Sequence, residues 1–241
     1  MTRARRANSR HDTSGVVDFV NSREKNGFRL NVWPNQLGTD TEQLGVCITK
    51  EQEQLLLRFV ALVKKWNRSI NLISRQDIDR LWSRHILDSL SVSPYLHGVS
   101  VLDIGTGAGL PGIPLAIVNP ERQFTLCDRM AKRIRFLRVV KSELQLSNVD
   151  LLEQDVTAEH RAGRFDTVLA RAVAPSAKLW PMLEPALNHG ARMVVFSSTQ
   201  ENSADPKDQG GDEKTEYRCR TERIAVPDIE QPHVLEILER R

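Results

Sequence analysis

The chain has 241 residues, 40% hydrophobic and 27% charged, a globular composition long enough for one α/β domain with something added. Its formal charge of +3 is too small to assign a partner. No apolar run reaches the roughly 20 residues of a membrane span. Cys47, Cys127 and Cys219 show neither metal-ligand nor disulfide spacing, so a reduced, cytoplasmic protein without a bound metal is expected.

The first 45 residues are polar and aperiodic. Arg3, Arg5, Arg6, Arg10, Arg23, Lys25 and Arg29 stand against Asp12, Asp18 and Glu24, and Trp33-Pro34-Asn35 and Gly38 interrupt any helix. The segment 1–45 reads as a disordered basic arm, either a solvated tail or a nucleic-acid contact. It has arginines but no apolar stretch of the secretory kind, and Asp12 and Asp18 disfavour an organelle transit peptide.

From Thr49 the pattern changes. Leu55, Leu56, Phe59, Leu62, Val63 and Trp66 recur at three- and four-residue spacing, predicting an amphipathic helix with Thr49 as its N-cap. Further helical pieces are predicted near Asp77–Trp82 and Ser83–Tyr95, so that residues 46–97 form a helical cap. The segment 98–241 then alternates. Strands are expected at Val101–Ile104, Gln123–Asp128, Val149–Gln154, Phe165–Arg171 and Ala191–Phe196, and helices at Ile113–Asn119, Lys132–Leu146 and Ala177–Leu187. Such alternation predicts a doubly wound, mostly parallel, Rossmann-like sheet. The stretch 201–215 reads as a mobile acidic loop, and Tyr217–Val226 and His233–Leu238 as a closing pair of strands.

The first strand opens into VLDIGTGAGLPGIPLA, residues 101–116. Gly105, Gly107 and Gly109 permit positive φ and close approach of the backbone to a ligand. The helix that follows offers unpaired N–H groups, and proline is tolerated in its first turn. The dinucleotide pattern G-x-G-x-x-G fails from Gly105, because Leu110 occupies its sixth position, and a match from Gly107 to Gly112 begins two residues late. Asp103 at the mouth would repel a pyrophosphate and attract an ammonium or sulfonium, the two cationic groups of S-adenosyl-L-methionine. Asp128, ending the second strand, is placed to accept from both ribose hydroxyls, a device NAD-binding folds share. Arg171 ends the fourth strand and would line the crevice at the carboxyl edge of the sheet. Lys132, Arg133, Arg135, Arg138 and Lys141 flank the buried stripe of one helix, suited either to phosphates or to plain solvation.

Taken together, DIGTGAGLPGIPLA, Lys132-Arg133-Ile134-Arg135-Phe136-Leu137 and Ala170-Arg171-Ala172-Val173-Ala174 resemble the bacterial small-subunit ribosomal RNA guanine-N7 methyltransferases, the glucose-inhibited division protein B family. Lys65-Trp66-Asn67, Asn71-Leu72-Ile73-Ser74 and Arg84-His85-Ile86-Leu87-Asp88-Ser89 agree, and the resemblance runs from about Thr49 to Phe196. It implies a methyltransferase fold with an N-terminal helical cap, S-adenosyl-L-methionine as methyl donor, and N7 of one guanine in 16S ribosomal RNA as acceptor. It implies that Gly105 and Leu110 hold the cofactor, that Val156 and Thr157 contact its adenine side, and that Arg171 sits at the active site. A monomer acting on the RNA or on the small-subunit particle is expected. Where the family continues after its fifth strand with a glycine turn containing a lysine, this chain has Ser197-Ser198-Thr199-Gln200.

Guanine N7 carries an in-plane lone pair and no proton, so its methylation requires alignment rather than a general base. His85 then reads as a packed cap histidine, and Arg171 as a cation for a phosphate, the guanine O6 edge or the cofactor. An NAD-dependent oxidoreductase, a methyltransferase of another substrate and a non-catalytic RNA-binding relative are the competing readings.

Overall fold

The computed structural model describes residues 37–155, 164–197 and 217–241. The expectations for residues 1–36, for Val156 and Thr157, for Ser198–Gln200 and for the acidic loop 201–215 lie outside the described residues. Leu37–Arg241 form one compact unit.

Helical structure is present within the stretch whose pattern indicates an arm. Helix α1 (Leu37–Gln43) falls inside the stretch expected to be an arm, and Thr41, Leu44 and Val46 are buried. Residues 37–46 therefore pack as part of the body that follows. Helix α2 (Lys50–Ile70) is capped by Thr49: its hydroxyl accepts from the Gln52 N–H, and the Gln52 side chain accepts from the Thr49 N–H. This reciprocal pair satisfies two backbone donors at the helix start. Leu56, Phe59, Val60 and Val63 are buried on one face of α2.

The next expected helix, Asp77–Trp82, is instead a run of turns. Ser74 and Asp77 bond to each other and Arg84 pairs with Asp77 at 3.1 Å, closing a loop where the pattern suggests a helix. A π-helical turn, Trp82–Leu87, follows and runs straight into α3 (Asp88–Leu90) and a 3₁₀ turn, Ser93–Tyr95.

Among the described residues seven strands then build a single sheet: β1 (Ser100–Ile104), β2 (Gln123–Asp128), β3 (Val149–Glu153), β4 (Phe165–Arg171), β5 (Leu187–Ser197), β6 (Tyr217–Ile224) and β7 (His233–Arg240). Their spatial order is β3-β2-β1-β4-β5-β7-β6. The first five run parallel, and β7 inserts antiparallel between β5 and β6. Helices α4 (Gly112–Val118), α5 (Ala131–Glu143) and α6 (Ser176–Leu183) follow β1, β2 and β4. The α2 helix packs on α4 and α5: the Gln52 side-chain amide donates to the Ile117 carbonyl at 3.1 Å, and the Trp66 and Phe136 rings lie 5.8 Å apart. The other cluster of the core joins Leu102, Ile104, Val168 and Val195 to Leu179, Trp180 and Leu183 of α6. Central strands buried on both faces explain the continuous apolar runs in the sequence.

Two boundaries differ from expectation for identifiable reasons. Pro185 lacks an N–H and constrains Glu184, so α6 stops at Leu183. Strand β5 starts at Leu187 because pairing jumps from Phe165–Leu187 to Thr167–Arg192, an irregularity that includes Gly190 at φ +75°.

Candidate active site

The order of strands reverses between β1 and β4, and in such sheets ligands bind outside the carboxyl ends at that point. The glycine turn follows β1, and Arg171 closes β4 beside it.

The three glycines do different work. All have positive φ: +63° at Gly105, +60° at Gly107 and +87° at Gly109. A Cβ on Gly109 would collide with Ile113 and Leu137, so this glycine lets the turn close on α4 and α5. A Cβ on Gly105 would strike Val173, the exposed residue that follows Arg171 and Ala172. A Cβ on Gly107 would meet only the Gly105 carbonyl, at 3.8 Å, so Gly107 opens onto free space. Leu110 is buried, and its N–H and that of Gly109 both donate to the Thr106 carbonyl. Gly109 and Leu110 thus lie beneath the turn and shape it.

Asp103 is wholly buried under the same turn. Its Oδ2 accepts from the Thr106 hydroxyl at 2.5 Å and from the Gly112 N–H at 2.9 Å, while Oδ1 is buried without a hydrogen-bond partner. Burial pushes its carboxyl up to about 7, against the opposing pull of the Thr106 and Gly112 bonds and the Arg171 guanidinium. Asp128, 2% exposed, is a second brace. It accepts from the N–H groups of Gly107 (3.0 Å) and Met130 (2.8 Å) and pairs with Arg133 at 3.1 Å. Asp103 closes the loop after β1 on itself, and Asp128 ties that loop to the one after β2, so the two acids shape one rim.

Arg171 does not stand free in the crevice. Its Nη1 donates to Asp88 Oδ2 at 3.1 Å, its Nη2 lies 2.7 Å from His85 Nδ1, and its guanidinium sits 5.9 Å from the Phe196 ring centre. Since Arg171 only donates, His85 Nδ1 must accept. Burial, with the Arg171 charge next, holds His85 down to about 4, so the ring is neutral at pH 7. The other oxygen of Asp88 accepts from His233 Nδ1. In the sequence His85 and Asp88 stand out only as neighbours of one another. His233 does not stand out at all, since nothing in a single β-strand residue 145 positions away signals the contact.

The basic flank of α5 is largely matched by acids: Arg133 with Asp128, Arg138 with Glu153, and Lys141 with Asp150. Among the described residues no group of three His, Cys, Asp or Glu side chains is placed to hold a metal, and no helix is long and apolar enough to cross a membrane.

The rim fits S-adenosyl-L-methionine. A turn open at Gly107, a buried acid with one oxygen unpaired, and a second acid at the tip of β2 suit a cationic amino-acid group and a nucleoside, and suit a pyrophosphate poorly. The magnesium protoporphyrin IX methyltransferase of Synechocystis PCC 6803, solved with its methyl donor bound, superposes with a TM-score of 0.52 over 76% of this chain and 97% of its own, at 17% identity. The fold is the Rossmann-like one that methyltransferases share.

At the level of sequence, residues 52–235 match the sequence model of GidB, rRNA small subunit methyltransferase G. A ribosomal RNA small subunit methyltransferase G of Methylococcus capsulatus is 40% identical over 81% of this chain and 93% of its own length. Another, of Edwardsiella ictaluri, is 46% identical over 64% of this chain and 76% of its own. The chain belongs to this family of small-subunit ribosomal RNA methyltransferases.

Proposed function

We propose that this enzyme transfers the methyl group of S-adenosyl-L-methionine to N7 of one guanine in 16S ribosomal RNA, acting in the cytoplasm as a monomer on the RNA or the small-subunit particle. The observation that carries the reading is the rim: Gly107 open to free space, its N–H held by Asp128 and its turn braced by Asp103, at the switch point of a sheet belonging to this family. Gly105, Gly107 and Asp128 would line the cofactor, Asp103 would act from beneath the turn it braces, Gly109 and Leu110 would shape the turn, and Val156 and Thr157 would lie on the adenine side. The cofactor supplies an electrophilic methyl group when bound.

The remaining work is alignment. N7 attacks with a lone pair and releases no proton, so no base is needed at the site, which agrees with a His85 held neutral and already occupied by Arg171. Arg171 keeps further donors on its planar group for a phosphate oxygen or the guanine O6 edge.

Mass spectrometry of 16S ribosomal RNA from cells with and without this protein tests the reading. One 7-methylguanosine should vanish with the gene and return with it. An unchanged nucleoside profile would overturn the proposal.

A further inference from the structure

We propose that Asp88 and His233 are positioning residues for Arg171, forming a brace that ties the helical cap and strand β7 to the carboxyl end of β4. The inference rests on the reading of Arg171 as an active-site residue. Asp88 is 4% exposed, and its two oxygens are divided: Oδ2 takes Arg171 Nη1, and Oδ1 takes His233 Nδ1. A carboxylate accepts only, so both partners donate to it, and the His233 tautomer is fixed with a proton on Nδ1. A carboxylate this deep is tolerated only where charge and hydrogen bonds compensate it.

Local structure puts the two cap acceptors on one guanidinium. His85 and Asp88 are three residues apart, one turn of the segment where the π-helical turn passes into α3, so they project from the same side. Widened π turns recur where a helix must aim side chains at a site. The Phe196 ring, paired in register with Arg171 on β5, lies 5.9 Å from the guanidinium and limits its plane. Two of the five N–H donors are thereby spent on fixing orientation, and the side chain remains 20% exposed for the rest. Immediately after Arg171 the backbone turns through Ala172 at φ +54°, which delivers Val173 onto Gly105. The brace and the glycine turn therefore meet at the same strand end.

The groups facing Asp88 are Arg171 from β4 and His233 from β7; those facing His85 are Arg171, Asp77, Asp88 and Arg84. Acting through Arg171 distinguishes this brace from an ordinary buried ion pair. Removing His233 should disturb turnover only while Arg171 is present to be misplaced.

The test uses the full-length chain, undermethylated small-subunit RNA and S-adenosyl-L-methionine, with variants Arg171→Ala, Asp88→Asn, His233→Ala, His233→Asn and the double variant Arg171→Ala/His233→Ala. His233→Ala should lower kcat about tenfold, with KM for cofactor and RNA changed less than threefold. His233→Asn places an amide N–H near the position of Nδ1 and should recover most of that loss. In the Arg171→Ala background, His233→Ala should have no further effect on kcat. Additive losses in the double variant, or an Asn variant as slow as the Ala variant, would overturn the brace, as would wild-type kcat in His233→Ala. If Asp88→Asn does not fold, the two His233 variants and the double variant decide. Arg171→Ala turning over like wild type would instead overturn the active-site reading of Arg171. Impaired Arg171→Ala beside unimpaired Asp88 and His233 variants would leave that reading standing and remove the brace alone.

Discussion

Asp103 carries two jobs that pull in opposite directions. It braces the glycine turn through Thr106 and Gly112, yet it is wholly buried with one oxygen unpaired. Its carboxyl is raised from 3.8 to about 7, chiefly by burial. Between those values the folded chain holds a proton that the unfolded chain has given up, so stability falls as pH rises across that window, at ~1.4 kcal/mol per pH unit at most. Asp103→Asn keeps an oxygen to accept from Thr106 and Gly112 and has no such titration. Its melting temperature, compared with wild type from pH 4 to pH 8, should gain on wild type up to about pH 7 and then level off, while its affinity for S-adenosylhomocysteine drops. A constant gap across pH would show that Asp103 does not titrate in that window. Gly107 makes a separate prediction. At φ +60° a valine is strained by about 1–2 kcal/mol, and its side chain would enter the open space above the turn. Gly107→Val should remain folded and give no heat when titrated with S-adenosylhomocysteine; wild-type affinity would exclude the turn as the cofactor's seat.

Among the elements, those whose pattern is set by burial are legible in the sequence, and those set by distant contacts are not. Strands β2 and β4 begin and end where their apolar runs do, because central parallel strands are covered on both faces. The cap of α2 can be read at Thr49, because a capping residue acts within one turn of itself. Helix α1 gives no such sign: LGTDTEQ carries no apolar stripe, and its burial comes through Thr41 and the Leu44 and Val46 that follow. The start of β5 is hidden because Asn188-His189-Gly190 reads as a turn, whereas the strand passes through it with a shift of register. The same division holds at the site. Asp103, the glycines and Asp128 announce themselves by lying at strand ends next to a turn. The Arg171–Asp88–His233 link joins residues 83 and 145 positions apart, and no local rule connects them.

For the whole molecule, the question is where the attraction to RNA comes from. Of the 34 lysines and arginines, seven lie in residues 1–36 against three of the 31 acids, so the segment holds more than the entire formal excess of +3 and the remainder is close to neutral. Within that remainder, three of the basic side chains on α5 are paired with acids of β2 and β3. The first 36 residues therefore carry the positive excess, and we propose that long-range attraction to phosphates falls to them. The cut must be made at residue 36, since Thr41 is buried and α1 belongs to the body. A chain starting at Leu37 should fold, bind S-adenosylhomocysteine as wild type does, and methylate small-subunit RNA at low salt. Its RNA affinity should depend less steeply on salt, with the slope of log affinity against log salt reduced by roughly 0.7–0.9 for each phosphate that the shortened chain no longer neutralises. Filter binding over a range of salt concentrations on either side of the physiological value measures this directly. An unchanged slope would put the phosphate-binding cations on the body instead, where the exposed Lys132 and Arg135 of α5 would be the first residues to replace.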